Sequence, residues 1–406
     1  MARYPLYAPS YKIRIDGTAL PPEISSAISN VTWTTGMEGA DRVELSLANL
    51  SLRLLDHPLL RPDREFRLSV GYAPDPLEEV FVGEITGIES AFPSGGIPTL
   101  HLTAQDYLNR IMKGKKDRSF LVNIPGVGNF PLPDEAVTAI VAGLDGLIPE
   151  PDAVGGVLAT LIALASYLAF PQFAQNGLRQ QVQESDFELL SKIAKENGWQ
   201  MFIDHSAEPK GRVLRFQFVI GDPTPSLSLT WGGGLLEFTP RLTTVGDIFA
   251  VTARVWVDSL KTEFVIAVGW NYDTSSINLS VFPNLVGDVE DTLGEDAKGN
   301  TVEVKPSGFA VTPRSILTEL LPRLNNRLTG SGSCIGDPRI IGSRIVELKG
   351  LGGQFSGLYR VTSATHTFDG GGYRTSFQGR KEVWFPNPPL SNKTGVLASL
   401  RGAFSV

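Results

Sequence analysis

Apolar residues fall on every second position in two separated blocks of this chain. That spacing constrains the fold more than any other feature. Val43, Leu45 and Leu47 alternate with Arg42, Glu44 and Ser46, and Phe66, Leu68, Val70 and Tyr72 alternate with Arg67, Ser69 and Gly71. In a strand, successive side chains point to opposite faces, so period-two spacing means one buried face. Ile13 and Ile15, the run Phe81 to Ile88 and the run Leu100 to Leu102 extend the first block over residues 10–105. About six strands with Gly, Pro and Asp turns read as a small barrel or sandwich. The pattern returns from Leu235, with Val251, Ala253, Val255 and Val257 on one face and Phe264 to Val268 beyond a turn. Three closing strands are predicted over 343–349, 357–368 and 373–381.

Between the blocks the period changes. Ser185-Asp-Phe-Glu188 opens a helix whose hydroxyl cap and returning glutamate form a capping box. Phe187, Leu190, Ile193 and Ala194 recur at helical spacing, and Asn197-Gly198 ends the element. Trp199 to Ile203 and residues 213–219 follow as strands. Asp134 is placed to cap a second helix through Val137, Ile140 and Val141. The apolar run Val157 to Phe170 is shorter than the about 20 residues a spanning helix needs. It reads as a buried or partner-covered helix, with membrane contact the alternative. Lys113-Gly-Lys-Lys-Asp-Arg118 reads as a solvated linker, or as a phosphate-contacting patch. Thr312-Pro313 starts a helix over 312–328, kinked or restarted at Pro322 and closed by Gly330-Ser-Gly-Ser333.

The two β blocks share an order. In the first, strand Phe66 to Tyr72 leads to Phe81-Val-Gly83, a long strand, a turn and a final strand. In the second, Arg344 to Leu348 leads to Phe355-Ser-Gly357, a long strand, the turn Asp369-Gly-Gly-Gly372 and a final strand. Coincidence between two β regions and true internal duplication both fit. Duplication gives each subunit two similar units, and three subunits six, which suits docking onto a sixfold partner.

Catalytic signatures are missing. His57, His101, His205 and His366 are scattered without zinc spacing, and no nucleophile elbow or phosphate-cradling loop occurs. Cys334 lies in a Gly/Ser loop without a nearby histidine, and Asp186 and Glu188 read as first-turn charges favoured by the helix dipole. No cofactor or metal is expected. A formal charge of −7 (36 basic against 43 acidic residues) disfavours a duplex-binding surface. The N-terminus has no apolar core of signal-peptide length.

Gln183 to Trp199 resembles the segment typical of the bacteriophage late control D family. That family includes contractile-tail baseplate hubs and the amino-terminal hub part of type VI secretion spike proteins. Gly336-Asp-Pro-Arg-Ile-Ile-Gly342, with Gly353 to Val361 and Gly372 to Phe377, is similar to the family's closing module. The resemblance spans residues 10–385.

It implies a β-rich α+β fold: two tube-protein-like antiparallel β-barrels with an α+β insert between them. The expected division is 1–112, 113–232, 233–385 and a tail at 386–406. It further implies a homotrimer whose pseudo-sixfold ring adapts a hexameric tail tube to a trimeric spike, beside other baseplate proteins. The chain ends about 25 residues past its last strand, so a separate spike is expected by comparison with the family. DNA or cargo would pass through an acidic lumen without specific binding. Assembly in the bacterial cytoplasm and residence in the tail baseplate or an injection particle are expected, without a stable membrane span. A cell-wall-degrading hub enzyme and a carbohydrate-binding tail protein using Trp231, Trp256 or Trp270 are the alternatives. Interface candidates are Phe81, Val82, Ile85 and Ile88, Val251, Val255 and Val257, and Phe355 and Tyr359.

Overall fold

The computed structural model describes residues 8–124, 128–150, 179–218, 224–243, 250–257, 262–271, 276–283, 301–304, 325 and 327–382. The helices expected over 157–170 and through Pro322 lie outside these residues.

The first β block forms β1 (Ala8–Ile15), β2 (Thr18–Ala19), β3 (Ile28–Gly36), β4 (Arg42–Ala48), β5 (Glu65–Ala73), β6 (Glu78–Ala91) and β7 (Thr99–Asp106). Burial alternates along β4 and β5 as the spacing predicts, and Val31, Trp33, Leu45, Phe66, Phe81 and Leu102 fill the core.

The insert starts with β8 (Lys116–Ser119), β9 (Leu121–Ile124), β10 (Gly128–Pro131), the helix Asp134–Leu144 and β11 (Ile148–Glu150). It continues with β12 (Gln180–Glu184), the helix Asp186–Asn197, β13 (Trp199–Ile203) and β14 (Val213–Phe218). Both bonds of the predicted capping box are present: Glu188 N–H donates to Ser185 Oγ at 3.1 Å, and Ser185 N–H donates to Glu188 Oε2 at 2.7 Å. Gly198 adopts a left-handed φ of 68°.

Two expectations here are corrected. Asp134 does not cap its helix, because Pro133 occupies that position. The Asp134 carboxylate instead accepts from Arg179 at 2.7 and 2.9 Å and from Asn197 Nδ2 at 2.6 Å, tying the two insert helices together. Nor is Lys113–Arg118 only a solvated linker. Lys116 and Arg118 lie on β8, which pairs with β12, and both bind the fully buried Asp186 carboxylate. Despite the cost of burial, hydrogen bonds from Lys116 and Gln181 hold Asp186 below the ordinary carboxylate range.

The second block comprises β15 (Leu227–Thr230), β16 (Leu235–Leu242), β17 (Ala250–Val257), β18 (Thr262–Asn271), β19 (Ser276–Pro283), β20 (Thr301–Val304), β21 (Leu328–Ile335), β22 (Ile345–Lys349), β23 (Gly357–Asp369) and β24 (Gly372–Arg380). Strands β17 to β20 form a separate four-stranded sheet. Gly330-Ser-Gly-Ser333 does not close a helix; it is the middle of β21. A Cβ on Gly330 would sit 2.4 Å from the Phe238 ring, and one on Gly332 would sit 2.8 Å from the Glu237 carbonyl. The glycines are there so that β16 and its aromatic ring can lie flat on the strand.

The two blocks join in one thirteen-stranded sheet through antiparallel pairing of β23 with β3. Within it, one five-strand unit occurs twice. The first is ordered β3-β4-β7-β6-β5 and the second β16-β21-β24-β23-β22. The registers match pair by pair: Ile85↔Ala104 corresponds to Val361↔Gly379, and Phe66↔Gly83 to Val346↔Tyr359. Two irregularities also recur, one between Ile28 and Asn30 and between Leu235 and Glu237, the other between Ile85 and Gly87 and between Val361 and Ser363. Bulges are specific devices that bend and terminate pairing, so shared positions argue for a duplicated unit. The register departs from the motif match read in the sequence. Phe81 corresponds to Gly357, two residues beyond Phe355.

The β-rich α+β class expected from the sequence is present. Among the described ladders none closes either unit into a barrel, and the pairing path runs open from β16 to β2.

Candidate assembly surface

The titratable clusters are built for folding. His366 sits across from Trp33 at the β3–β23 joint, fully buried, with the rings stacked at 4.3 Å. Its Nε2 donates to the Ile340 carbonyl at 2.9 Å, and its Nδ1 accepts from the hydroxyls of Tyr373 and Thr375 at 2.9 and 3.0 Å. Burial lowers its pKa to about 4, so it stays neutral.

Asp41 before β4, Asp106 at the end of β7 and His205 after β13 meet where the insert touches the first block. Among the described residues they form a group compact enough for a metal, with ligand atoms within 4.8 Å of one another. The proton positions argue against that use. His205 Nδ1 accepts from Val82 N–H at 3.2 Å, so Nε2 carries the ring proton and has no lone pair to give. Burial lowers the His205 pKa to about 4. The same burial pushes Asp106 up to about 7, and burial together with the Asp106 charge raises Asp41 well above the usual carboxylate range. The group is a buried seam whose uncharged forms are favoured by burial. Asp106 accepts from the backbone N–H groups of Asp41 and Leu108, and Asp41 accepts from that of Gly36.

The free chemistry of this molecule lies at its strand edges. Residues 78–84 of β6 pair with β5, and Ile85 is still bound on that side by the backbone of Asp63 and Arg64. Beyond Ile85 the strand pairs only with β7, and its other edge is open among the described residues. The outer edge of β16 is open in the same sense. Large apolar side chains cluster on both: Ile88 and Phe92 along the end of β6, Leu236 and Leu242 on β16, all exposed. An open edge offers a row of backbone donors and acceptors to another strand.

The interface candidates chosen from the sequence distribute unevenly over this surface. Phe81, Val82, Ile85 and Tyr359 are buried in the chain's own cores, and Phe355 packs half-buried against the second. Ile88 is exposed. Val251, Val255 and Val257 lie on β17, whose side chains are outside the described residues, as are those of Trp256 and Trp270. Trp231 is exposed. Strand β16 escaped the sequence reading as an edge. Its one signal was Pro240, a residue confined to edge positions because it cannot donate to a ladder.

No protein-family profile matches the sequence, and no curated protein is similar to it at a significant level. Solved structures do match. A 43 kDa tail protein of prophage MuSo2 from Shewanella oneidensis aligns over 92% of this chain and 98% of its own, with TM-score 0.58 and 12% identity. The tail protein from Neisseria meningitidis MC58 aligns over 92% and 97%, with TM-score 0.54 and 10% identity. The chain has a tail-protein fold. At the level of the fold, the resemblance carried by residues 183–199 and 336–377 is borne out. Among the described residues of this tail-protein fold no helix is long and apolar enough to cross a membrane.

Proposed function

We propose that the chain is a structural hub of a contractile phage tail or a phage-derived injection system. In this reading three copies form a pseudo-sixfold ring, with the hexameric tail tube on one side and the trimeric spike on the other. One observation carries it: the same five-strand unit occurs twice in one chain, with matching registers and bulges, joined edge to edge. Two like units per subunit convert threefold symmetry into approximate sixfold symmetry. The division into 1–112, 113–232, 233–385 and 386–406 belongs to the same proposal, as does assembly in the bacterial cytoplasm.

A non-enzymatic role is part of the reading. It is supported by the histidines at the joint and the seam: His366 binds a backbone carbonyl and hydroxyls, His205 Nδ1 accepts from the Val82 N–H, and burial lowers the pKa of both to about 4. Light scattering of the purified chain, alone and with tube and spike proteins, tests the proposal. A mass of three times 43.9 kDa, and capture of either partner, is expected. A stable monomer that binds neither contradicts it. Incubation with purified cell walls tests the enzymatic alternative, for which no turnover is expected.

A further inference from the structure

The internal joint supplies a template for contact between copies. At that joint β3 lies along the distal half of β23, from Gly36↔Ser363 to Val31↔Phe368. The five-strand correspondence assigns each residue there a counterpart. Ala364, Thr365, His366, Thr367 and Phe368 correspond to Ile88, Glu89, Ser90, Ala91 and Phe92 by the shared β6–β7 and β23–β24 registers. Thr35, Thr34, Trp33, Thr32 and Val31 correspond to Leu242, Arg241, Pro240, Thr239 and Phe238 by the shared β3–β4 and β16–β21 registers. The entry to the joint is duplicated too. Asp63 and Ser343 both hold left-handed φ values, 62° and 71°, and donate N–H to the Ile85 and Val361 carbonyls.

One difference separates the copies. The distal edge of β23 is filled by β3 and β3 by β23, whereas among the described residues the distal edge of β6 and the outer edge of β16 are open. From this, and resting on the reading of the chain as a self-assembling hub, we infer that β6 of one subunit pairs antiparallel with β16 of the next. The register is set as Ile88↔Leu242, Glu89↔Arg241, Ser90↔Pro240 and Ala91↔Thr239.

The residues fit the register. Glu89 and Arg241 are exposed and opposite in charge, and the register sets them directly across. Ile88 is 36% exposed and Leu242 44%, while their counterparts Ala364 and Thr35 are 1% and 2% exposed. Phe92 is 61% exposed, and its counterpart Phe368 is 5%. The face that the internal joint buries is therefore apolar and waiting on both open edges. Pro240 weakens the ladder by one bond. Thr243 N–H donates to Arg327 of its own sheet, so by strand alternation the Pro240 nitrogen faces outward, where it has no proton. The joint between copies is thus shorter of donors than the internal one. The interface joins two different edges, so it propagates head to tail, and a rotation of one third of a turn per copy closes it as the ring of the hub reading.

Cysteine pairing tests the register. Glu89 and Arg241 form a non-hydrogen-bonded pair, the closer kind, suited to a disulfide. Cys334, the sole native cysteine, is buried with its thiol pushed up to about 12, so it stays silent. Under mild oxidation the double variant Glu89→Cys/Arg241→Cys is expected to give covalent dimers and trimers, and each single variant none. Glu89→Cys/Thr239→Cys, displaced by two residues, is expected to link at least about tenfold more slowly, because diagonal pairs lie beyond disulfide reach. Trimers by light scattering without the 89–241 link, or with faster linkage of the displaced pair, overturn the register and leave the hub reading standing. A monomer under all conditions overturns both. Charge exchange gives an independent arm that needs no cysteine. Glu89→Arg or Arg241→Glu alone should weaken association about fivefold per joint, and the two together should restore it within about twofold. Failure of the exchange to restore association counts against the register.

Discussion

Trp33 and His366 lie directly opposite each other across the ladder that joins the two five-strand units, with their rings stacked at 4.3 Å and 22°. Each is almost completely buried. An aromatic of the first unit meets a titratable ring of the second there, as Tyr72 and Tyr373 also do at 5.8 Å. Trp33→Ala should cost about 3–5 kcal/mol, in the range for removing a buried large aromatic. His366→Ala should also destabilise, and the double variant should cost less than the sum, because the stack is lost once. Urea midpoints of the four proteins check this. Strict additivity would mean that the stack contributes nothing to the joint.

The buried titratable groups give opposing pH dependences. His205 and His366 remain neutral down to about 4, against an ordinary value of 6.5. In that window the unfolded chain binds protons that the folded chain does not, so stability falls as pH drops through it and is complete above it. Asp106, at about 7, and Asp41, raised well above the ordinary carboxylate range, behave the other way. The folded chain keeps their protons while the unfolded chain releases them, so their contribution is complete below the ordinary carboxylate range and is lost as pH rises toward and past neutrality. As pH rises above 6.5 the histidine contribution levels off, and the carboxyl pair should then make stability fall. Asp41→Asn keeps an oxygen for the Gly36 N–H and should flatten that slope. Equal slopes for the two proteins would exclude the carboxyl pair as the cause.

Asp186 is the electrostatic anchor of the insert. Its fully buried carboxylate holds Lys116 and Arg118, each about a third exposed. Asp186→Ala should cost about 3 kcal/mol, since breaking such a pair leaves its partners desolvated, with some relief from solvent around the two cations. Lys115→Ala should change stability by less than about 0.5 kcal/mol. Thermal unfolding of both variants makes the comparison, and similar effects would return the segment to the role of a solvated linker.

Gly330→Ala tests the strand that replaced the expected helix stop. The added methyl meets the Phe238 ring, which is itself packed against Tyr359 and Phe377. A loss of about 1–3 kcal/mol is expected from overpacking, with partial recovery in Gly330→Ala/Phe238→Leu. Denaturation midpoints decide it.

Local features were legible in the sequence because local physics determines them. The caps of the helix Asp186–Asn197, the alternation of β4 and β5, and the closing strands β22 to β24 all appear where spacing placed them. What escaped depended on distant partners. Gly330-Ser-Gly-Ser333 reads as a breaker until the Phe238 ring is laid on it. Lys116 and Arg118 read as solvated until the fold brings Asp186 beside them, about 70 residues away in sequence. The joint itself pairs residues 31–36 with 363–368, a separation that no periodicity records. The duplication was visible as an order of elements. Its true register emerged only from the ladders, because the two copies keep the bulges while changing the side chains.

The most direct test of the hub is its appearance in end-on electron-microscope averages of the purified, assembled chain. A ring with three identical subunits and six similar lobes, two per subunit, is the predicted result. A particle with twofold symmetry, or a threefold ring with three lobes only, would contradict it.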